Sequence, residues 1–137
     1  MKSILFVIPW KASLVNCGKV NDSQYVERAP ENVVALATYL RVQGARVEIA
    51  DLSPTLVACE GNVEDCLSQL KLKCQRFNPD VIGLSFFTAR FEFAADITSY
   101  LRLTFTQNTP VIIAGGVHPT LLPTVTYEYI PFDALVI

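Results

Sequence analysis

Residues able to do chemistry are sparse in this chain, and they gather at a few places. The single histidine, His118, stands just after a glycine pair in Val111-Ile-Ile-Ala-Gly-Gly-Val-His-Pro-Thr120. Four apolar residues, three of them β-branched, run straight into Gly115 and Gly116. This is the pattern of a buried strand that ends in a loop, and the loop, lacking Cβ atoms, can pass close under a ligand. Pro119 suits the first turn of a following helix, whose free amides would suit an anionic or carbonyl-rich group. A second small polar side chain, Ser85, closes another apolar run, in Ser85-Phe86-Phe87-Thr88. Metal and thiol chemistry find less support. Cys17, Cys59, Cys66 and Cys74 form no C-x-x-C pair and have no second histidine near them, which leaves neither a zinc site nor a dithiol. Cys66 and Cys74 read as core packing in a reducing, cytoplasmic setting.

These residues need a scaffold, and length and composition bound it. The 137 residues suffice for one domain, taken as 1–137, with one core. At 51% hydrophobic, 18% charged and a net charge of -2, the chain is neither disordered nor a nucleic-acid coat. Lys71, Lys73 and Arg76 read as the solvated side of one helix, so no nucleic-acid partner is expected. The apolar run Ile4–Ile8 is stopped by Pro9, too short for a signal peptide or a membrane span, and reads as a first core strand.

The elements follow in order. After that strand, residues 10–29 show no sustained periodicity and carry Asn16, Gly18, Asn21, Asp22 and Ser23, so a long functional loop is expected. A helix starts at Pro30, with Val33, Leu36, Ala37 and Leu40 on one face and Gly44 at its end. Arg46–Asp51 alternates as an outer strand. Its terminal Asp51 is a loop residue or cap, because no G-x-G-x-x-G follows strand 1 to make a dinucleotide site. Asn62 caps a helix with Val63, Leu67, Leu70, Cys74 and Phe77 on one stripe, which Asn78-Pro79 stops. A third strand spans Asp80–Phe87. A helix follows with Phe93, Ile97, Leu101 and Phe105 inward, then the Val111 strand, a short helical segment over 119–129, and a last strand over Phe132–Ile137. Strands alternating with helices predict an α/β fold: a flavodoxin- or Rossmann-like three-layer sandwich on a five-stranded parallel sheet of order 2-1-3-4-5. Ligands of such sheets sit beyond the strands' carboxyl ends, at the switch between strands 1 and 3. The loop after strand 1, Ser85 and the glycine pair would meet there.

The runs Asn78-Pro-Asp-Val-Ile-Gly-Leu-Ser-Phe-Phe-Thr88, Pro110–Thr120 and Phe132-Asp-Ala-Leu-Val-Ile137, with the helix around Leu36–Arg41, resemble the N-terminal cobalamin-binding domain of cobalamin-dependent radical SAM proteins. The resemblance covers most of the chain apart from residues 10–29 and 53–62. It implies cobalamin as cofactor, with Ser85 and the adjoining Phe86 beside the nucleotide tail and Gly115-Gly116 letting the tail lie against the sheet. It implies a hydrogen-bonding role for His118 ahead of cobalt coordination. Trp10 would cover a corrin face or pack in the core, and Thr88 and Thr120 would bind corrin amides or cap helices. The D-x-H-x-x-G motif that supplies a lower cobalt ligand in other cobalamin folds is absent, since residues 10–29 contain no histidine. A base-off cobalamin without a histidine below the metal is therefore implied.

The same resemblance implies a parent protein of methyltransferase or cyclase type. Its C-terminal radical SAM domain, in cis, would bind a [4Fe-4S] cluster and S-adenosylmethionine. This chain carries no C-x-x-x-C-x-x-C, so it is expected to bind cofactor without turnover. The competing expectation is a flavodoxin-like docking module that has lost its cofactor. A receiver domain is disfavoured because strand 1 ends in Pro9-Trp10 and not in acids, and a flavodoxin because Lys11–Gly18 makes a poor phosphate loop.

Overall fold

Apolar runs with no polar alternation need cover on both faces, and the first strand receives it. In a computed structural model, which describes residues 2–20 and 30–137, β1 (Ser3–Ile8) lies inside a parallel sheet. Its neighbours are β2 (Arg46–Asp51) and β3 (Val81–Ser85), followed by β4 (Val111–Gly115) and β5 (Ala134–Leu135). The order is β2-β1-β3-β4-β5, with Phe6 paired to Ile49 on one side and Gly83 on the other. This is the expected topology, and its switch point falls between β1 and β3.

Alternate residues of the sheet feed two cores. Phe6, Ile8 and Val47 pack under α1 (Glu31–Val42) through Val33 and Ala37. Leu5, Val7, Ile82, Leu84, Ile112 and Ala114 face the larger core, under α2 (Leu52–Ala58), α3 (Val63–Phe77) and α4 (Phe91–Thr104). Each buried Val, Leu, Ile or Phe side chain among them contributes roughly 2 kcal/mol on burial. One inward assignment fails, because Leu36 is 47% exposed. Val33 and Ala37 centre a narrow buried stripe with Leu40 half-buried beside them, and Leu36 lies on its flank.

The helix boundaries follow local chemistry. Asn62 accepts the Asp65 N–H at 3.0 Å at the start of α3, and Asn78 ends the helix in the left-handed conformation. The expected single helix over 119–129 is two, α5 (Val117–Leu121) and α6 (Pro123–Tyr129), because Pro123 supplies no N–H to continue a ladder. α2 was not foreseen. Asp51 caps it by accepting the Ser53 N–H at 3.2 Å.

Two expected strands are trimmed. Asp80 serves as a clamp at the start of β3, its carboxylate accepting the Ser3 N–H at 2.8 Å and the Ser3 hydroxyl at 3.0 Å. These bonds hold its carboxyl below the usual range. Before β5, Asp133 accepts the Ile112 N–H at 2.7 Å and pairs with Arg102 at 3.0 Å. Burial opposes the Asp133 charge, but those partners outweigh it and hold that carboxyl low as well.

The first part of the expected long loop is built. A 3-10 turn over Ala12–Leu14 buries Leu14, and the Asn16 and Gly18 N–H groups donate to Gly61 and Glu60 at 2.9 Å. Asn21, Asp22 and Ser23 lie outside the described residues. Among the described residues, no helix is long and apolar enough to cross a membrane.

Candidate functional site

Strand ends in a parallel sheet point their final residues at one surface, and here they border a cleft. Ile8, Asp51, Ser85 and Gly116, at or just past the ends of β1, β2, β3 and β4, line a cavity of about 660 Å³. Its volume is in the range of small-molecule sites. Ile8, Val33, Phe86, Phe87 and Val117 give it apolar walls, and Lys11, Glu31, Asp51 and Arg90 bring charge. Arg90 ends a 3-10 turn over Thr88–Arg90 and donates from Nη1 to the Pro9 carbonyl at 2.7 Å, joining the exits of β1 and β3. Burial pushes the Asp51 carboxyl above its usual range, against the opposing pull of the Ser53 N–H, Arg90 and Lys11.

Gly116 has φ +102°, and a Cβ there would lie 3.0 Å from Phe86 N and Ser85 Oγ. The glycine pair was read as room for a ligand. At Gly116 the space is instead taken by the β3 exit, so this glycine locks the two exits together. At Gly115 a Cβ would meet only Val136, at 3.6 Å or more.

The eight residues singled out from sequence divide. Ser85, Phe86 and Gly116 line the cleft, and Gly115 ends β4 beside it. The other four do not line it. Trp10, expected over a corrin face or in the core, is 1% exposed and packs on Phe93 with ring centroids 5.4 Å apart. His118 is 3% exposed, between Phe86 at 5.6 Å and Phe91 at 4.6 Å. Its Nδ1 hydrogen-bonds Thr88 Oγ1 at 3.0 Å, while Nε2 is enclosed without a partner among the described residues. The contacts of His118 thus lie in the core, with Thr88 and the two phenylalanine rings, and not in the cleft lining. Thr120 is exposed on α5, its N–H donating to Gly116 O at 3.2 Å. Neither threonine is an N-cap.

His118 sets a pH dependence. Burial lowers its pKa from the ordinary 6.5, so the folded state favours the neutral ring. The stability this provides is complete above pH 6.5 and is lost as pH falls through the lowered folded value. The melting temperature should therefore fall between pH 7 and pH 5, and fall less in His118→Phe, as calorimetry across that range will read.

Residues 25–137 match the family described as B12 binding domain. The chain belongs to that family. In fold, this B12-binding domain is also similar to the crystal structure of a novel cobalamin-binding protein from Desulfitobacterium hafniense DCB-2. The TM-score is 0.57 at 15% identity, over 98% of this chain and 52% of the other. The B12-binding domain thus spans about half the length of that relative. No curated protein matches it.

Sequence reasoning missed Lys11, Asp51 and Arg90 as cleft residues. Arg90 followed the Ser85-Phe86-Phe87-Thr88 exit closely enough to be suspected. Lys11 lay within the expected functional loop without being singled out, and Asp51 was set aside as a loop residue or cap for want of a G-x-G-x-x-G after strand 1.

Proposed function

We infer that this B12-binding domain holds cobalamin across the carboxyl ends of its sheet, with the nucleotide tail in the cleft and the corrin outside it. The observation that carries this reading is the position of the cleft at the β1/β3 switch point of a chain in the B12-binding family. The residues present suit the group. A cleft of about 660 Å³ is too small for the whole cofactor but suits a benzimidazole ring, with apolar walls for its faces and the Ser85 hydroxyl for its polar edge. A tail held there leaves the benzimidazole away from cobalt, the base-off form. His118 is the sole histidine of the sequence and is enclosed in the core, which supports a cobalamin that would be held without a histidine below the metal. Bound cobalamin supplies the cobalt chemistry, and this chain supplies position and access. The resemblance to radical SAM proteins supports a wider setting. There a radical SAM domain in cis would hold a [4Fe-4S] cluster and S-adenosylmethionine, which together with cobalamin would supply the chemistry of a methyl transfer or cyclisation.

Incubation with hydroxocobalamin, gel filtration, and then a visible spectrum and a melt will test the binding. Retained corrin with a base-off spectrum is expected, with about 2.7 kcal/mol of added stability at a hundredfold excess over Kd. No retained corrin and no thermal shift would return the domain to the docking-module reading.

A further inference from the structure

The cleft lining holds two cations, Lys11 and Arg90, beside the acids Glu31 and Asp51, and its arginine is fixed in place. Arg90 is half-buried, and its bond to Pro9 O at 2.7 Å uses one of the five guanidinium N–H donors. No other acceptor meets them among the described residues. Lys11 stands in the same lining, with its backbone N–H tied to Ser53 Oγ at 3.1 Å and its ammonium without a partner among the described residues. Of the two acids in the same lining, Glu31 and Asp51, the Asp51 carboxylate accepts the Ser53 N–H at 3.2 Å in capping α2. Two cations with unused donors, held at the switch point, suit an anion with several oxygens. Cobalamin carries one such group on its tail, the phosphodiester. Left without partners in a half-buried cleft, that charge would oppose binding.

We propose that Arg90, assisted by Lys11, is the residue by which this domain distinguishes a corrinoid with a complete nucleotide tail from one lacking the phosphodiester, and that the Asp51 carboxylate, in the same lining, limits the affinity by repelling that phosphodiester. The inference rests on the cobalamin reading of the cleft.

Titrations of the whole chain with hydroxocobalamin and with cobinamide, which lacks the nucleotide and its phosphodiester, separate the two. The wild type is expected to bind cobalamin more tightly. Arg90→Gln should weaken cobalamin by about tenfold, the size of one charge-assisted hydrogen bond, and leave cobinamide within about twofold. Arg90→Lys should fall between. Asp51→Asn keeps a good helix cap and should tighten cobalamin alone by severalfold. Added salt should weaken cobalamin less in Arg90→Gln than in the wild type. Loss of both corrinoids in equal measure on Arg90→Gln would reduce Arg90 to its contact with Pro9 and overturn the proposal, as would no change in either. Equal wild-type affinity for both would overturn it, and with it the tail's place in the cleft, while leaving corrin binding by the domain standing. Failure of the wild type to bind either would remove both.

Discussion

Replacing Gly61 by alanine is expected to lower the stability of the domain by about 3 kcal/mol, the sum of an overpacking cost and a strained backbone. Gly61 follows α2 with φ +84°, and a Cβ there would lie 2.4 Å from Cys17 N, 2.7 Å from Leu14 O and 2.8 Å from Asn16 N. All three are backbone atoms, so no rotamer change relieves the clash. The segment after β1 would have to lift away, losing the Asn16 and Gly18 hydrogen bonds at 2.9 Å and the buried Leu14. For a domain of this size the melting temperature should drop by about 10 °C. A drop of only a degree or two would mean that residues 11–18 are not docked on the α2–α3 turn.

Gly116→Ala should cost a comparable amount, about 2 to 3 kcal/mol, and abolish ligand binding as well. Its φ of +102° disfavours any side chain, and the added carbon would press on Phe86 N, Ser85 Oγ and Phe86 O at 3.0 to 3.1 Å. Relief requires the β3 and β4 exits to part. That movement takes Ser85, Phe86 and Gly116 out of register together and opens the cleft floor. Gly115→Ala is the matched control. Its new carbon meets Val136 at ordinary contact distances, with no positive φ to offend, so stability and binding should stay close to wild type. Chemical denaturation and corrin retention on the two variants will show the contrast. Equal effects from both would mean that the pair acts through ligand contact and not through the lock between strand exits.

Much of the scaffold was legible because its signals are local. Unbroken apolar runs marked β1 and β4, Asn62 and Asn78 marked the ends of α3, and alternation with helices gave the sheet order. The strand ends then indicated the surface, and Ser85 with Gly116 fell on it. What escaped depends on contacts between distant residues. Lys11, Asp51 and Arg90 are charged residues of a kind that usually faces water, and only the junction of three strand ends turns them toward one cleft. His118 and Trp10 carry polar atoms that suggested a ligand, but their rings fill core space beside Phe91 and Phe93. Gly116 was read as space for a ligand because sequence shows that a side chain is missing, not what occupies the gap. α2 has only seven residues, too few for a helical period to stand out.

The most direct test of the central claim is a backbone amide NMR titration of the chain with hydroxocobalamin. The largest changes are predicted at Ser85, Phe86, Phe87, Gly116 and Val117 around the cleft. Arg46, Lys73 and Arg76, which line a second groove of similar size along β2 and α3 that shares only Asp51 with the cleft, should stay unmoved. Saturable changes centred on that second groove, with the cleft amides silent, would contradict the account.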